Sequence, residues 1–173
     1  MVKYKRLTTK KEISEGCTLL DKYLGENFHP VKFYYDQPEI TMYGALDGDT
    51  IIGVGTAMLL DTNLEDYDSY FLQTIGPDCG FLESAAIDEN YRGRGIGKML
   101  AITRMDILVH MGCDEVVALC WQSNQERTSL PLLKKLGFKE VEHFIQPWDG
   151  ENCTVCGPKN CTCDAVLVHR SFK

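Results

Sequence analysis

The segment that most restricts how this chain folds is Tyr91-Arg92-Gly93-Arg94-Gly95-Ile96-Gly97-Lys98, because of what stands on either side of it. An apolar run, Phe81-Leu82-Glu83-Ser84-Ala85-Ala86-Ile87, leads in. Leading out, apolar residues at Ile96, Met99, Leu100, Ile107, Leu108 and Met111 fall on one face of a helix over residues 96–111. A strand, a glycine turn and a helix in that order build a cradle for an anion. The glycines let consecutive backbone N–H groups converge, and the helix adds its positive end. Arg92, Arg94 and Lys98 supply full charges nearby, so the expected ligand carries phosphate.

Spacing narrows the choice. A Walker A loop needs a glycine where Arg92 stands and a hydroxyl where Met99 stands. The dinucleotide fingerprint fails at Lys98, which occupies the place of its third glycine. R-x-x-G-x-G does fit, as Arg92, Gly95 and Gly97 behind a strand ending in Ala86-Ile87-Asp88. In that setting the motif resembles the acyl-CoA binding motif of the GNAT superfamily of N-acyltransferases. The resemblance covers residues 1–147 and the last strand. It implies that the pantetheine arm of acetyl-CoA lies along Ala85, Ala86 and Ile87. The pyrophosphate is then expected on Arg92, Gly93, Arg94, Gly95, Ile96, Gly97 and Lys98. Asn124 stands near the place where the family sets an asparagine against the pantetheine.

The rest of the chain reads in the same sense. Residues 2–8 suit a first strand, and Thr8 or Thr9 caps a helix with Glu12 placed for a capping box. That helix carries Ile13, Cys17, Leu20 and Leu24 on one face and stops at Gly25. Asp47-Gly48-Asp49 turns a hairpin between residues 40–46 and 50–60. Residues 81–87 and 116–121 read as buried strands, and the helix between them implies a right-handed crossover and a parallel pair. Residues 124–136 read as mostly helical, 138–148 as a strand and 165–172 as the closing strand. The expected fold is α/β (α+β) and GNAT-like: a mixed, mostly antiparallel sheet with a parallel central pair and flanking helices. It forms one domain over residues 1–173.

Acyl transfer to an amine needs a base. Glu83 lies within a strand expected to be buried on both faces, where an unpaired carboxylate costs several kcal/mol. It is therefore paired, hydrated or protonated. GNAT enzymes often place a carboxylate on this strand as general base, and the resemblance implies that role for Glu83. Many members also carry a tyrosine four residues before the Gly-Phe that ends the last helix. Here Gly137-Phe138 matches but Leu133 stands four back, so that general acid is missing. Tyr70, Tyr91 and Cys120 are the candidate substitutes. Asp61, Glu65, Asp66, Asp68 and Asp78, with Tyr67, Tyr70 and Phe71, make an acidic, aromatic stretch that suits a cationic acceptor or a solvated surface.

A second constellation is independent of the first. Cys153, Cys156, Cys161 and Cys163 fall within residues 153–163, with Gly157-Pro158 to turn the chain. Four thiolates complete a closed tetrahedral site, so the expected occupant is a structural zinc, with disulfides, an iron–sulfur centre or redox thiols as the alternatives. The insert, at residues 149–164, departs from the simple turn usual between the last two GNAT strands. Cys17, Cys79, Cys113 and Cys120 read as buried small hydrophobes, and His29, His110, His143 and His169 have no ligand spacing.

The formal net charge of −7 argues against nucleic acid or an acidic membrane as partner. No apolar stretch approaches the roughly 20 residues of a membrane span, and no secretory pattern follows Met1, so the expected location is cytoplasmic. The expected function is acetyl transfer from acetyl-CoA to a primary amine, on a small molecule or a peptide. The alternative is a noncatalytic acyl-CoA-binding sensor or adapter module; a homodimer is compatible with either.

Overall fold

The computed structural model describes residues 1–25, 29–37, 40–60, 79–123 and 128–173. Thr9 starts the first helix, α1 (Lys10–Leu24), by the expected reciprocal cap. Its hydroxyl accepts the Glu12 N–H at 3.2 Å, while the Glu12 carboxylate accepts the N–H groups of Thr9 (3.0 Å) and Thr8 (3.1 Å). Thr9→Ala is expected to cost about 1 kcal/mol in urea unfolding, since it strips the cap from an otherwise intact helix.

The strands are β1 (Lys3–Arg6), β2 (Ile40–Asp47), β3 (Thr50–Leu60), β4 (Cys79–Leu82), β5 (Ala85–Ile87), β6 (Glu115–Gln122), β7 (Lys139–Phe144) and β8 (Asp164–Ser171). They form one sheet in the order β1-β2-β3-β4-β6-β8-β7, with β5 paired to β3. All pairs are antiparallel except β4 and β6, the expected parallel pair. The remaining helices are α2 (Val31–Asp36), α3 (Ile96–His110) and α4 (Leu130–Lys135). Among the described residues no helix is long and apolar enough to cross a membrane.

Two apolar layers sandwich the sheet. Ile13, Cys17 and Leu20 of α1 and Tyr34 of α2 pack on Met42, Val54 and Met58. Ala101, Met105 and Leu108 of α3 join Leu133 of α4 against Val116, Ala118 and Val166. α3 comes very close to the sheet at Gly55, where a Cβ would stand 2.8 Å from the Arg104 guanidinium carbon. The missing side chain is what admits a buried arginine there.

One expectation needs correction. Residues 81–87 do not form a single strand but break at Glu83-Ser84. Up to Leu82 the chain pairs with β6, in the register Cys79↔Glu115 to Leu82↔Ala118. From Ala85 it pairs with β3 alone, in the register Gly55↔Ala85 to Gly53↔Ile87. The reason lies in the polar groups at the break. The Ser84 carbonyl accepts from the Thr56 N–H (2.9 Å) and Arg104 Nη1 (3.1 Å), which draws the backbone away from β6. Smaller differences lie at the ends: α4 is the helix described within residues 128–136, and β7 is shorter than residues 138–148. Residues 61–78, with the acidic and aromatic stretch, lie outside the described residues, as does Asn124.

Candidate active site

The break in the strand makes the site. Beyond Ala118, β6 runs on to Gln122 with no strand on that side among the described residues, while β5 stays on β3 alone. Between them opens a cleft of about 540 Å³, lined on one wall by Glu83, Ser84, Ala85 and Ile87 and on the other by Leu119 and Trp121. A parallel pair that splays exposes backbone groups on both inner edges, the requirement for binding an extended amide-containing arm. Ala85 is exposed toward it and Ala86 is buried against α1.

At the far end of β5 a short 3₁₀ turn, Glu89–Tyr91, is capped by Asp88 and leads into the glycine segment. Gly95 caps α3 with φ +80°, a left-handed conformation that favours glycine, and among the described residues nothing lies within 4 Å of a Cβ built at Gly93 or Gly95. The first N–H groups of α3 have no partner within the helix and face this open cup. Arg92 reaches back rather than out: its Nε donates to the Ile87 carbonyl at 3.0 Å and its guanidinium lies 4.6 Å over the Tyr23 ring. Its Nη1 is the one buried side-chain nitrogen or oxygen left without a partner among the described residues. Arg94 donates to the Asn90 carbonyl at 2.9 Å and stacks over Tyr91, and Lys98 is exposed on the first turn of α3.

Glu83 sits at the break, partly buried, and its carboxylate is held from one side. Thr56 Oγ1 donates to Oε2 at 2.8 Å and the Tyr34 hydroxyl reaches both oxygens at 3.2 and 3.3 Å. Tyr34 belongs to α2, a helix too short and irregularly patterned to be read from the sequence. Behind lies Arg104, 5% exposed, donating to the carbonyls of Leu100, Thr56 and Ser84. Burial lowers its guanidinium to about 10, and the negative charge of Glu83 partly restores it.

A second polar chain ends at the same point. Asp21 Oδ1 contacts His29 Nδ1 at 2.8 Å and also accepts the His29 backbone N–H at 3.2 Å. His29 Nε2 lies 3.1 Å from Ser84 Oγ. Sequence reading passed over these residues because they are 8 and 55 positions apart and share no motif.

Leu133 lines the cleft wall and is buried, so no hydroxyl stands where many relatives place one. Of the proposed substitutes, Tyr91 donates to Asp47 at 3.4 Å and Cys120 is fully buried with its thiol pushed up by desolvation. Tyr70 lies outside the described residues.

The cysteine segment also reaches the cleft, where Cys153, Cys161, Asn152 and Trp148 complete the rim. The four Sγ atoms lie within 4.8 Å of one another, with Cys153–Cys163 at 3.9 Å and Cys156–Cys163 at 3.5 Å. A zinc–sulfur distance of about 2.3 Å requires tetrahedral edges of about 3.8 Å, so the set fits one ion with little adjustment. Reciprocal backbone bonds between Cys153 and Gly157 close a tight hairpin. The Val155 and Thr162 N–H groups donate to the sulfurs of Cys153 and Cys156. The Thr162 N–H and hydroxyl lower the Cys156 thiol to about 7, whereas burial raises Cys161 and Cys163. The other four cysteines are buried as read from the sequence, and desolvation pushes Cys17 and Cys79 up to about 12.

The chain belongs to the acetyltransferase (GNAT) family, whose description matches residues 13–138. It is 32% identical over 94 residues to an N-acetyltransferase of Chlorobaculum tepidum described as uncharacterized, covering 53% of this chain and 54% of that one. It is also 34% identical over 71 residues to glucosamine 6-phosphate N-acetyltransferase of Trypanosoma brucei brucei, covering 41% of this chain and 45% of that one. The matches thus span about half the length of these curated relatives. In fold the chain is similar to one solved as part of the NatC complex bound to Gag peptide and CoA, with TM-score 0.74, 18% identity and 99% of each chain covered.

Proposed function

We propose that this chain moves an acetyl group from acetyl-CoA to a primary amine by direct attack, with Glu83 as general base. The observation that carries this reading is that Glu83, the small-residue edge of β5 and Gly97 of the helix cap all line one cleft. The pyrophosphate is assigned to Arg92, Gly93, Arg94, Gly95, Ile96, Gly97 and Lys98, where Arg92 Nη1 lacks a protein partner and the cup at Gly93 and Gly95 is open. Ala85, Ala86 and Ile87 present the strand edge for the pantetheine arm, and Asn124 is assigned to its other side.

An amine is protonated at neutral pH and attacks only after losing that proton. Glu83 takes it, directly or through water, while Thr56 and Tyr34 hold the carboxylate still. The free amine attacks the thioester carbon, the carbon–sulfur bond breaks with CoA departing as thiolate, and the proton shed by the new amide nitrogen passes to solvent. The pKa of CoA, near 8.5 for an ordinary thiol, lets it leave without a tyrosine at the place of Leu133. The acceptor reading extends to amines on small molecules and at peptide ends.

Cys153, Cys156, Cys161 and Cys163 are assigned a structural zinc ion. When bound it supplies a cross-link, and with four sulfurs around it no position is left for substrate.

The test is thermal unfolding with and without acetyl-CoA. At about 100 times its dissociation constant the ligand should stabilise the wild type by about 2.7 kcal/mol. Gly95→Glu places a bulky anion in the cup and should show no shift. A shift followed by CoA release with members of an amine panel supports the enzyme. Leu133 at the cleft favours one other reading, a noncatalytic acyl-CoA sensor, which binding without turnover on any amine would select.

A further inference from the structure

The chain Asp21–His29–Ser84 ends in the acyl cleft, and the mechanism above uses none of it. An ionised carboxylate only accepts hydrogen bonds, so the 2.8 Å contact to Asp21 puts the proton of neutral His29 on Nδ1. Nε2 then carries the lone pair, and the 3.1 Å contact makes Ser84 Oγ the donor. That is the arrangement of an activated serine: nucleophile, base, and an acid that fixes the tautomer of the base. His29 is 6% exposed, and both His29 and Ser84 line the cleft. Ser84 cannot drift, because its N–H donates to Thr56 Oγ1 at 3.0 Å and its carbonyl is held by Thr56 and Arg104.

We propose that Ser84, His29 and Asp21 form an acyl-accepting triad that hydrolyses the bound acyl-CoA thioester when no amine is present. This rests on the reading that acetyl-CoA occupies the cleft. Ser84 Oγ attacks the thioester carbon, its proton passing to His29 Nε2. The new Oγ–carbon bond forms, the carbon–sulfur bond breaks, and His29 returns the proton to the CoA sulfur. Water then attacks the serine ester, giving one proton to His29 Nε2. Cleavage of the ester frees acetate, and Ser84 Oγ takes the proton back. The sum is acetyl-CoA and water to acetate, a proton and CoA.

The wild-type chain, Ser84→Ala and Asp21→Asn would be incubated with acetyl-CoA and no amine, then quenched in acid. CoA and acetate are followed chromatographically, and peptides are scanned for an added acetyl group. Wild type is expected to release both products in equal amounts and to carry acetyl on the Ser84 peptide. Ser84→Ala should lose the modification entirely and release CoA at least about 100-fold more slowly, with Asp21→Asn slowed by a similar factor. A thermal scan checks that each variant is folded, and an unfolded Ser84→Ala is replaced by Ser84→Gly. If the wild type binds acetyl-CoA and acetylates an amine but releases no acetate and never carries acetyl-serine, the triad is overturned and the transferase stands. Equal release by wild type and a folded Ser84 variant also overturns it. If wild type shows no thermal shift with acetyl-CoA, both readings fall.

Discussion

Glu83→Gln is expected to lower kcat for amine acetylation by about 100- to 10,000-fold, the range of general-base catalysis, while the acetyl-CoA dissociation constant stays unchanged. The substitution keeps the shape of the side chain and one oxygen for the Thr56 hydroxyl, now 2.8 Å from the carboxylate. What it removes is the ability to take a proton from an ammonium group. The deficit should narrow as pH rises toward the amine's own pKa, about 10.4 for a lysine-like acceptor, because free amine then exists without a base. Steady-state kinetics across pH, with calorimetric binding of acetyl-CoA, reads both quantities. A rise in KM with kcat untouched would mean that Glu83 only binds the acceptor, and the base would have to be sought elsewhere.

The second large effect concerns the cysteine segment. Cys156→Ser combined with Cys163→Ser should abolish bound zinc, measured by plasma mass spectrometry, and lower the thermal midpoint sharply. Structural zinc contributes on the order of 10 kcal/mol to small metal-folded units. The hydrogen bonds of residues 149–163 are mostly local, among them Asp149 and Glu151 N–H to the Gln146 and Trp148 carbonyls, the Cys153–Gly157 pair and Lys159 N–H to Asn152, while Thr154 reaches the Tyr23 carbonyl. Because Cys153, Cys161 and Asn152 form part of the cleft rim, the variant should also raise KM for the acceptor. Chelator treatment of the wild type should reproduce both changes and leave the variant unaffected. Metal-free wild type with an unaltered midpoint would sink the zinc assignment.

The glycine turn and the cysteine cluster were legible because each is local, and the parallel pair because a strand–helix–strand order fixes it. Arg92, Gly95 and Gly97 act through backbone conformations set within a few residues, and the Thr9–Glu12 cap closes over three. Four cysteines within residues 153–163 meet whatever the rest of the fold does. Glu83 stood out for a related reason, a charge in an apolar run, but its neighbourhood was misread. Periodicity predicted a strand buried on both faces, whereas the polar groups of Thr56 and Arg104, distant in sequence, pull Ser84 out of line and end the strand at Leu82.

What the sequence alone determined is therefore most of the order of elements, the glycine turn ahead of α3 and the clustering of four cysteines, all of which depend on short-range sterics and spacing. Tertiary structure decided the rest. The cleft exists because the chain parts from β6 after Leu82 while staying paired to β3, the carboxylate is oriented by Tyr34 from an unforeseen helix, and His29 reaches Ser84 across 55 residues. The cysteine segment joins the cleft rim only because β7 and β8 bring it there. Such contacts follow from strand pairing and helix packing, which depend on every element at once and leave no periodic trace in any one of them.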